Sequence, residues 1–172
     1  MADLLHDAGI GTLLLDLLTP DEATDRRLAS DIDLLARRLR GAADRVLDRP
    51  GAHDARVGYL GIGTGTGGDA VVAAATDRAD TVAAVVSAAG RPDLVGRRLT
   101  RVATPTLLVV GGEDGVVLDG NRVAVGALAG PAELAVVEGA SHGFEEPGAL
   151  TELALLARDW FDRYLLDDDA AA

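Results

Sequence analysis

The sequence predicts an α/β fold: a three-layer α/β/α sandwich around a mainly parallel sheet of about five strands. Three observations predict it. Short apolar runs alternate with helical patterns along the chain. The runs are apolar on both faces, as strands covered by helices on both sides must be. Each is bounded by Gly, Pro or Asp, and the spacing between runs suits right-handed crossovers.

The strand candidates, in order, are Gly11–Leu18, Arg56–Leu60, Val82–Ser87, Pro105–Gly111 and Glu133–Val137. A short helix is expected over Met1–Ala8, with Leu4, Leu5 and Ala8 inward and Gly9 closing it. The clearest helix covers Ser30 to Leu47. There Ile32, Leu35, Ala36, Leu39, Ala43, Val46 and Leu47 recur at helical spacing, Ser30 is the candidate N-cap, and Pro50 stops the run. Further helices are expected over Gly67–Asp77, Leu118–Leu128 and Ala149–Leu166. The last carries Leu150, Leu153, Leu156, Ala157, Trp160, Phe161 and Tyr164 on its inner stripe. The expected organisation is one domain over residues 1–166, followed by a disordered acidic tail over 167–172.

Composition narrows the function classes. The 172 residues suffice for one domain with a sizeable core. Aromatic residues are only 3% of the chain, so that core must be built from Ala, Val, Leu and Ile. Cysteine is absent, which removes thiolate nucleophiles, disulfides and Cys-based metal sites. The net charge is −12, every basic residue is arginine, and Asp outnumbers Glu. Such a surface repels nucleic acid and anionic membranes, so neither is expected as a partner. A GC-rich genome and a salt-loving (halophile) host both produce this bias. No signal-like segment or membrane-length apolar run is present, and the expected location is cytoplasmic. His6, His53 and His142 are far apart in sequence, which gives no metal-ligand spacing.

The segment from Tyr59 to Gly68, Tyr-Leu-Gly-Ile-Gly-Thr-Gly-Thr-Gly-Gly, follows a strand and opens a helix. Gly63, Gly65 and Gly68 fit a dinucleotide fingerprint, which also needs an acid roughly twenty positions on to hold the ribose. The next strand ends in Ser87-Ala88-Ala89-Gly90, with no acid before Asp93. The other reading is a nucleophile elbow, G-x-S-x-G, in which Gly61, Ile62, Gly63, Thr64 and Gly65 put glycine at the nucleophile position. A plain glycine turn with a Thr66–Asp69 capping box is compatible with that elbow. Downstream, Glu113-Asp114 follows one strand and Ser141-His142 follows the next. Nucleophile, acid and base then stand in order at three carboxyl-end loops. In that arrangement Asp114 fixes the tautomer of His142, and His142 takes the proton. Thr64 and Thr66 are weak substitutes for a nucleophile. The amide of Thr64, rather than its side chain, is expected to face the site, and Thr66 serves better as a cap.

Three runs carry a family resemblance: Asp7–Thr19, Gly90-Arg91-Pro92-Asp93-Leu94 and His142-Gly143-Phe144-Glu145-Glu146-Pro147-Gly148. Together with the segments around Asp114 and His142, they resemble the dienelactone-hydrolase-like branch of the α/β-hydrolases along almost the whole chain. The resemblance implies hydrolysis of an ester, lactone or similar acyl bond without a cofactor, on a small-molecule acyl substrate. Members of that branch carry Ser or Cys where this chain has Gly63, and they have an upstream strand with a loop that completes an oxyanion hole. The chain is therefore expected to be weakly active or inactive. The alternatives are a pseudoenzyme that binds a small acyl ligand or a protein partner, and nucleotide or phosphate binding through the glycine loop. In the sheet so implied, one strand separates Gly11–Leu18 from Arg56–Leu60. Either that strand lies upstream of Met1, or the flanking strands close up and pair.

Overall fold

The computed structural model describes residues 1–63 and 67–166. Its centre is a four-stranded parallel sheet in the order β1-β2-β3-β4, with β1 Val57–Ile62, β2 Val82–Ala88, β3 Thr106–Gly111 and β4 Ala132–Val137. Sequence order equals spatial order because each crossover lands on the next strand. β2 and β3 are buried along almost their whole length, which explains their apolar runs.

Helices cover both faces. On one face, α1 (Ala2–Asp7) and α7 (Ala149–Phe161) pack Leu5, Leu153, Ala157, Trp160 and Phe161 against Val86 and Val109. On the other, α4 (Ile32–Leu47) and α5 (Gly68–Ala74) pack Ala36, Ala43, Val71 and Val72 against Tyr59, Val85 and Leu108. Between α1 and α4 lie two short helices, α2 (Pro20–Ala23) and α3 (Arg26–Ala29). A 3-10 stretch over Pro92–Arg101 breaks at Gly96, whose φ is 66°. α6 is Gly115–Val125, and a π turn over Asp162–Leu166 follows α7. The α/β three-layer architecture is as the sequence predicts.

Three local expectations are corrected. Gly11–Leu18 is not a strand, so the sheet has four strands rather than five. Leu13, Leu14, Leu15 and Asp16 are all exposed, whatever their parity, which cannot happen in a strand packed on a core. Nor do these residues pair with β1, so the two segments have not closed up. A run of leucines was legible, but the hydrogen-bond partner that would make it a strand is not there. Second, the N-cap of α4 is Asp31, not Ser30: its Oδ1 accepts from the Leu34 N–H at 2.9 Å. Third, α6 begins at Gly115, earlier than Leu118, because Asp114 caps it.

Ion pairs fasten the outer layers. Arg38 on α4 grips Glu22 with both terminal nitrogens, at 2.6 and 2.7 Å, and donates to the Leu17 carbonyl at 2.8 Å. The guanidinium and the Thr19 N–H hold the Glu22 carboxyl down at about 2. Among the described residues, no helix is long and apolar enough to cross a membrane.

Candidate active site

The carboxyl ends of the four strands lie at one edge, where parallel α/β sheets place their sites. β3 ends at Gly111, and the chain turns through Gly112 and Glu113 to Asp114. β4 ends at Val137, and the chain turns through Glu138–Ser141 to His142. Three backbone bonds pin these loops: Gly112 N–H to Val137 O at 2.9 Å, Glu113 N–H to Ala140 O at 3.0 Å and Asp114 N–H to Gly111 O at 3.0 Å. Glycine at 111 makes the approach possible. A Cβ there would run into the carbonyl oxygens of Ala140 and Ser141.

The Asp114 carboxylate is divided between two tasks. Oδ1 accepts from the Val117 N–H at 3.3 Å and caps α6, while Oδ2 lies 2.7 Å from His142 Nδ1. With Asp114 ionised, Nδ1–H donates to it, and Nε2 is left as the basic nitrogen. Asp114 is mostly covered, and the His142 ring is half exposed. The two residues predicted as acid and base are thus brought together. Around His142 the loop is stiff. Phe144 is fully buried with φ 52°, a backbone state that a bulky residue adopts only under constraint. The Ser141 N–H donates to Glu146 Oε2 at 2.9 Å and holds the Glu146 carboxyl below its usual range.

Of the segment expected to form an elbow, Gly61 and Ile62 end β1 and Gly63 follows them, ahead of α5. Gly63 has φ 96°, the left-handed side that favours glycine. A Cβ on Gly61 would press on Val71 Cγ1 at 2.8 Å and on the Gly67 backbone, so strand and helix close tightly only because both partners are glycine. Thr64, Gly65 and Thr66 lie outside the described residues, as does the proposed Thr66 cap. Asp69, the expected partner of that cap, is fully buried, and its Oδ1 accepts from the Arg91 N–H at 2.5 Å.

A third loop, after β2, completes the edge and carries residues that sequence reasoning did not single out as functional. Asn121, buried on α6, donates through Nδ2 to the Gly90 carbonyl at 2.9 Å. Arg91 clamps Asp93 through Nε and Nη2, both at 2.8 Å, which raises the arginine and lowers the aspartate from their ordinary values. Asp69, Gly90 and Asn121 tie the elbow helix to the helix that Asp114 caps. The signal was the Gly90–Asp93 run, but its contacts are tertiary. Among the described residues, no group of three or more His, Asp or Glu is arranged to hold a metal ion.

The dienelactone hydrolase family model matches residues 20–163. The chain belongs to the dienelactone hydrolase family. A crystal structure of dienelactone hydrolase from Anabaena variabilis superposes with a TM-score of 0.89 at 48% identity, over 95% of this chain and 77% of that one. A dienelactone hydrolase-like promiscuous phosphotriesterase from metagenomic libraries superposes at 0.73 over 93% of this chain, and at 17% identity it shows the fold alone. A Mycobacterium tuberculosis protein named "Putative phosphoribosyl transferase" is 49% identical over 165 residues. That match covers 96% of this chain but only 37% of the mycobacterial protein.

Proposed function

We propose that this chain is a dienelactone hydrolase-family protein that keeps the acid–base half of an acyl-hydrolase site and lacks its nucleophile. Hydrolysis of an ester, lactone or similar acyl bond is then weak or absent in the chain as it stands. The observation that carries the reading is the 2.7 Å contact between His142 and Asp114, beside a β1–α5 turn with Gly63 at the nucleophile position. His142 Nε2 would be the base. Gly63 offers it no hydroxyl or thiol to deprotonate, and removing a triad's nucleophile costs on the order of a millionfold in rate. What remains for the dyad is activation of a water, which needs no covalent intermediate.

The second reading is a non-catalytic binder of a small acyl ligand at the same edge. It is favoured by Gly63 itself, because glycine relieves the roughly 1–3 kcal/mol of strain that a side chain would carry in this backbone state. Both readings concern the portion shared with the mycobacterial relative, which is a much longer protein. The experiment is ester hydrolysis by the unaltered chain and by Gly63→Ser, each with and without His142→Ala. His142-dependent turnover that appears only with serine supports the first reading. Ligand-induced thermal stabilisation without turnover in any variant supports the second.

A further inference from the structure

We propose that the corner between α4, β1 and the end of α5 binds a small monovalent anion of the halide class, chloride in ordinary media, through Arg40, Tyr59, Thr76 and Arg78. Seven buried side-chain nitrogens and oxygens have no hydrogen-bond partner among the described residues. Four of them belong to this corner: Arg40 Nε, Tyr59 Oη, Thr76 Oγ1 and Arg78 Nε. Buried polar groups are nearly always paired, so four together point to a common partner.

The surrounding contacts bring the four together. Arg40 and Asp44 lie one turn apart on α4, beside Ala36 and Ala43, which share a core with Tyr59 and with Ala73 to Ala75. Arg40 Nη2 donates to the Ala73 carbonyl at 3.3 Å, an oxygen that also accepts from the Thr76 N–H at 3.3 Å. Two residues beyond Thr76, Arg78 donates through Nη2 to Asp44 Oδ1 at 2.6 Å. Tyr59 is only 3% exposed, and its phenol lies within electrostatic reach of Arg78, Asp44 and Arg40.

The chemistry of the group selects an anion. An arginine Nε–H can only donate. Burial pushes the Tyr59 phenol above its usual value, so its O–H keeps its proton and can donate as well. Two guanidiniums against the one Asp44 carboxylate leave a single positive charge in excess, which suits a monovalent ion. A water accepts about two hydrogen bonds and needs acceptors for its own hydrogens, whereas a halide accepts from all four groups and supplies the missing charge. A cleft of about 370 Å³ reaches Asp44 and Arg78 and gives an ion a route from solvent. Asp48, Asp77 and Asp80 line that cleft, but all three are exposed, where solvent screens them, and Asp77 is held by Arg101.

The test is thermal unfolding as sodium chloride replaces sodium gluconate at fixed sodium, which holds the cation's effect on this acidic chain constant. Past the Kd, Tm should rise by about 3–6 °C for each tenfold increase in chloride, and bromide should act likewise. Tyr59→Phe keeps the ring and removes one donor, and should weaken chloride binding at least tenfold. Arg40→Gln should abolish the response. In a crystal of the unaltered chain grown with bromide, an anomalous peak should stand within hydrogen-bond distance of Tyr59 Oη and Arg78 Nε. Equal Tm values in the two salts would overturn the proposal and assign the four groups to buried water. A chloride response that Tyr59→Phe leaves unchanged, or bromide bound only elsewhere, would overturn it too.

Discussion

Replacing Asp114 separates its two tasks. Asp114→Ala removes the α6 N-cap, worth about 0.5–2 kcal/mol, and the 3.3 Å length of that bond places the loss in the lower half of the range. It also removes the partner of a half-exposed imidazole, where pairing contributes about 0–1 kcal/mol after screening. The expected total is about 0.5–2 kcal/mol, or roughly 1–8 °C in Tm for a chain of this size. Asp114→Asn keeps a good capping side chain and loses only the ionic part of the pair, so it should cost no more than about 1 kcal/mol. His142→Ala leaves the cap intact and loses only the pair, so it should cost about 0–1 kcal/mol. Urea unfolding of the three variants, with m-values compared, measures this ordering. If His142→Ala costs as much as Asp114→Ala, or if Asp114→Asn is as damaging as Ala, the division of the carboxylate between helix cap and histidine is wrong.

Other perturbations address the loops around that pair. Gly111→Ala, whose Cβ would run into the carbonyl oxygens of Ala140 and Ser141, should cost about 1–3 kcal/mol and part the two loops, read as a changed His142 imidazole shift by NMR. Gly61→Ala should cost a similar ~1–3 kcal/mol by forcing β1 from the start of α5, measured by thermal unfolding. Glu146 has a folded pKa below its unfolded one, because the Ser141 N–H favours the carboxylate. Its contribution is therefore present above the unfolded value and lost as pH falls through the folded one. The Ser141 amide should titrate with a midpoint below the ordinary glutamate value, and Glu146→Gln should abolish that transition. Glu22, held at about 2 by Arg38, should keep the segment before α4 fastened until pH falls to near that value; Glu22→Gln should free it at neutral pH, read as faster amide exchange in α2.

The inner strands β2 and β3 were legible because a strand buried on both faces must be apolar on both. The order of acid and base was legible because strand ends mark the loops of one edge. Gly11–Leu18 misled because an apolar run records a tendency to be buried, while a strand also needs a neighbour, and hydrogen-bond partners leave no mark in the run itself. The start of α6 was placed too late for a related reason. Gly115-Val116-Val117 is a poor helix opening by propensity, and the cap at Asp114 overrides it. Asp69, Gly90 and Asn121 were out of reach, since their bonds join residues 22 to 31 positions apart.

On the proposed function, His142 and Asp114 are an acid–base pair that Gly63 leaves without a nucleophile. Steady-state hydrolysis of p-nitrophenyl acetate, compared for the unaltered chain, Gly63→Ser and Gly63→Ser/His142→Ala, tests it most directly. Background rates are expected for the first and third, and His142-dependent turnover for the second. Background rates for all three, or turnover that is the same in the unaltered chain and in both variants, would contradict it.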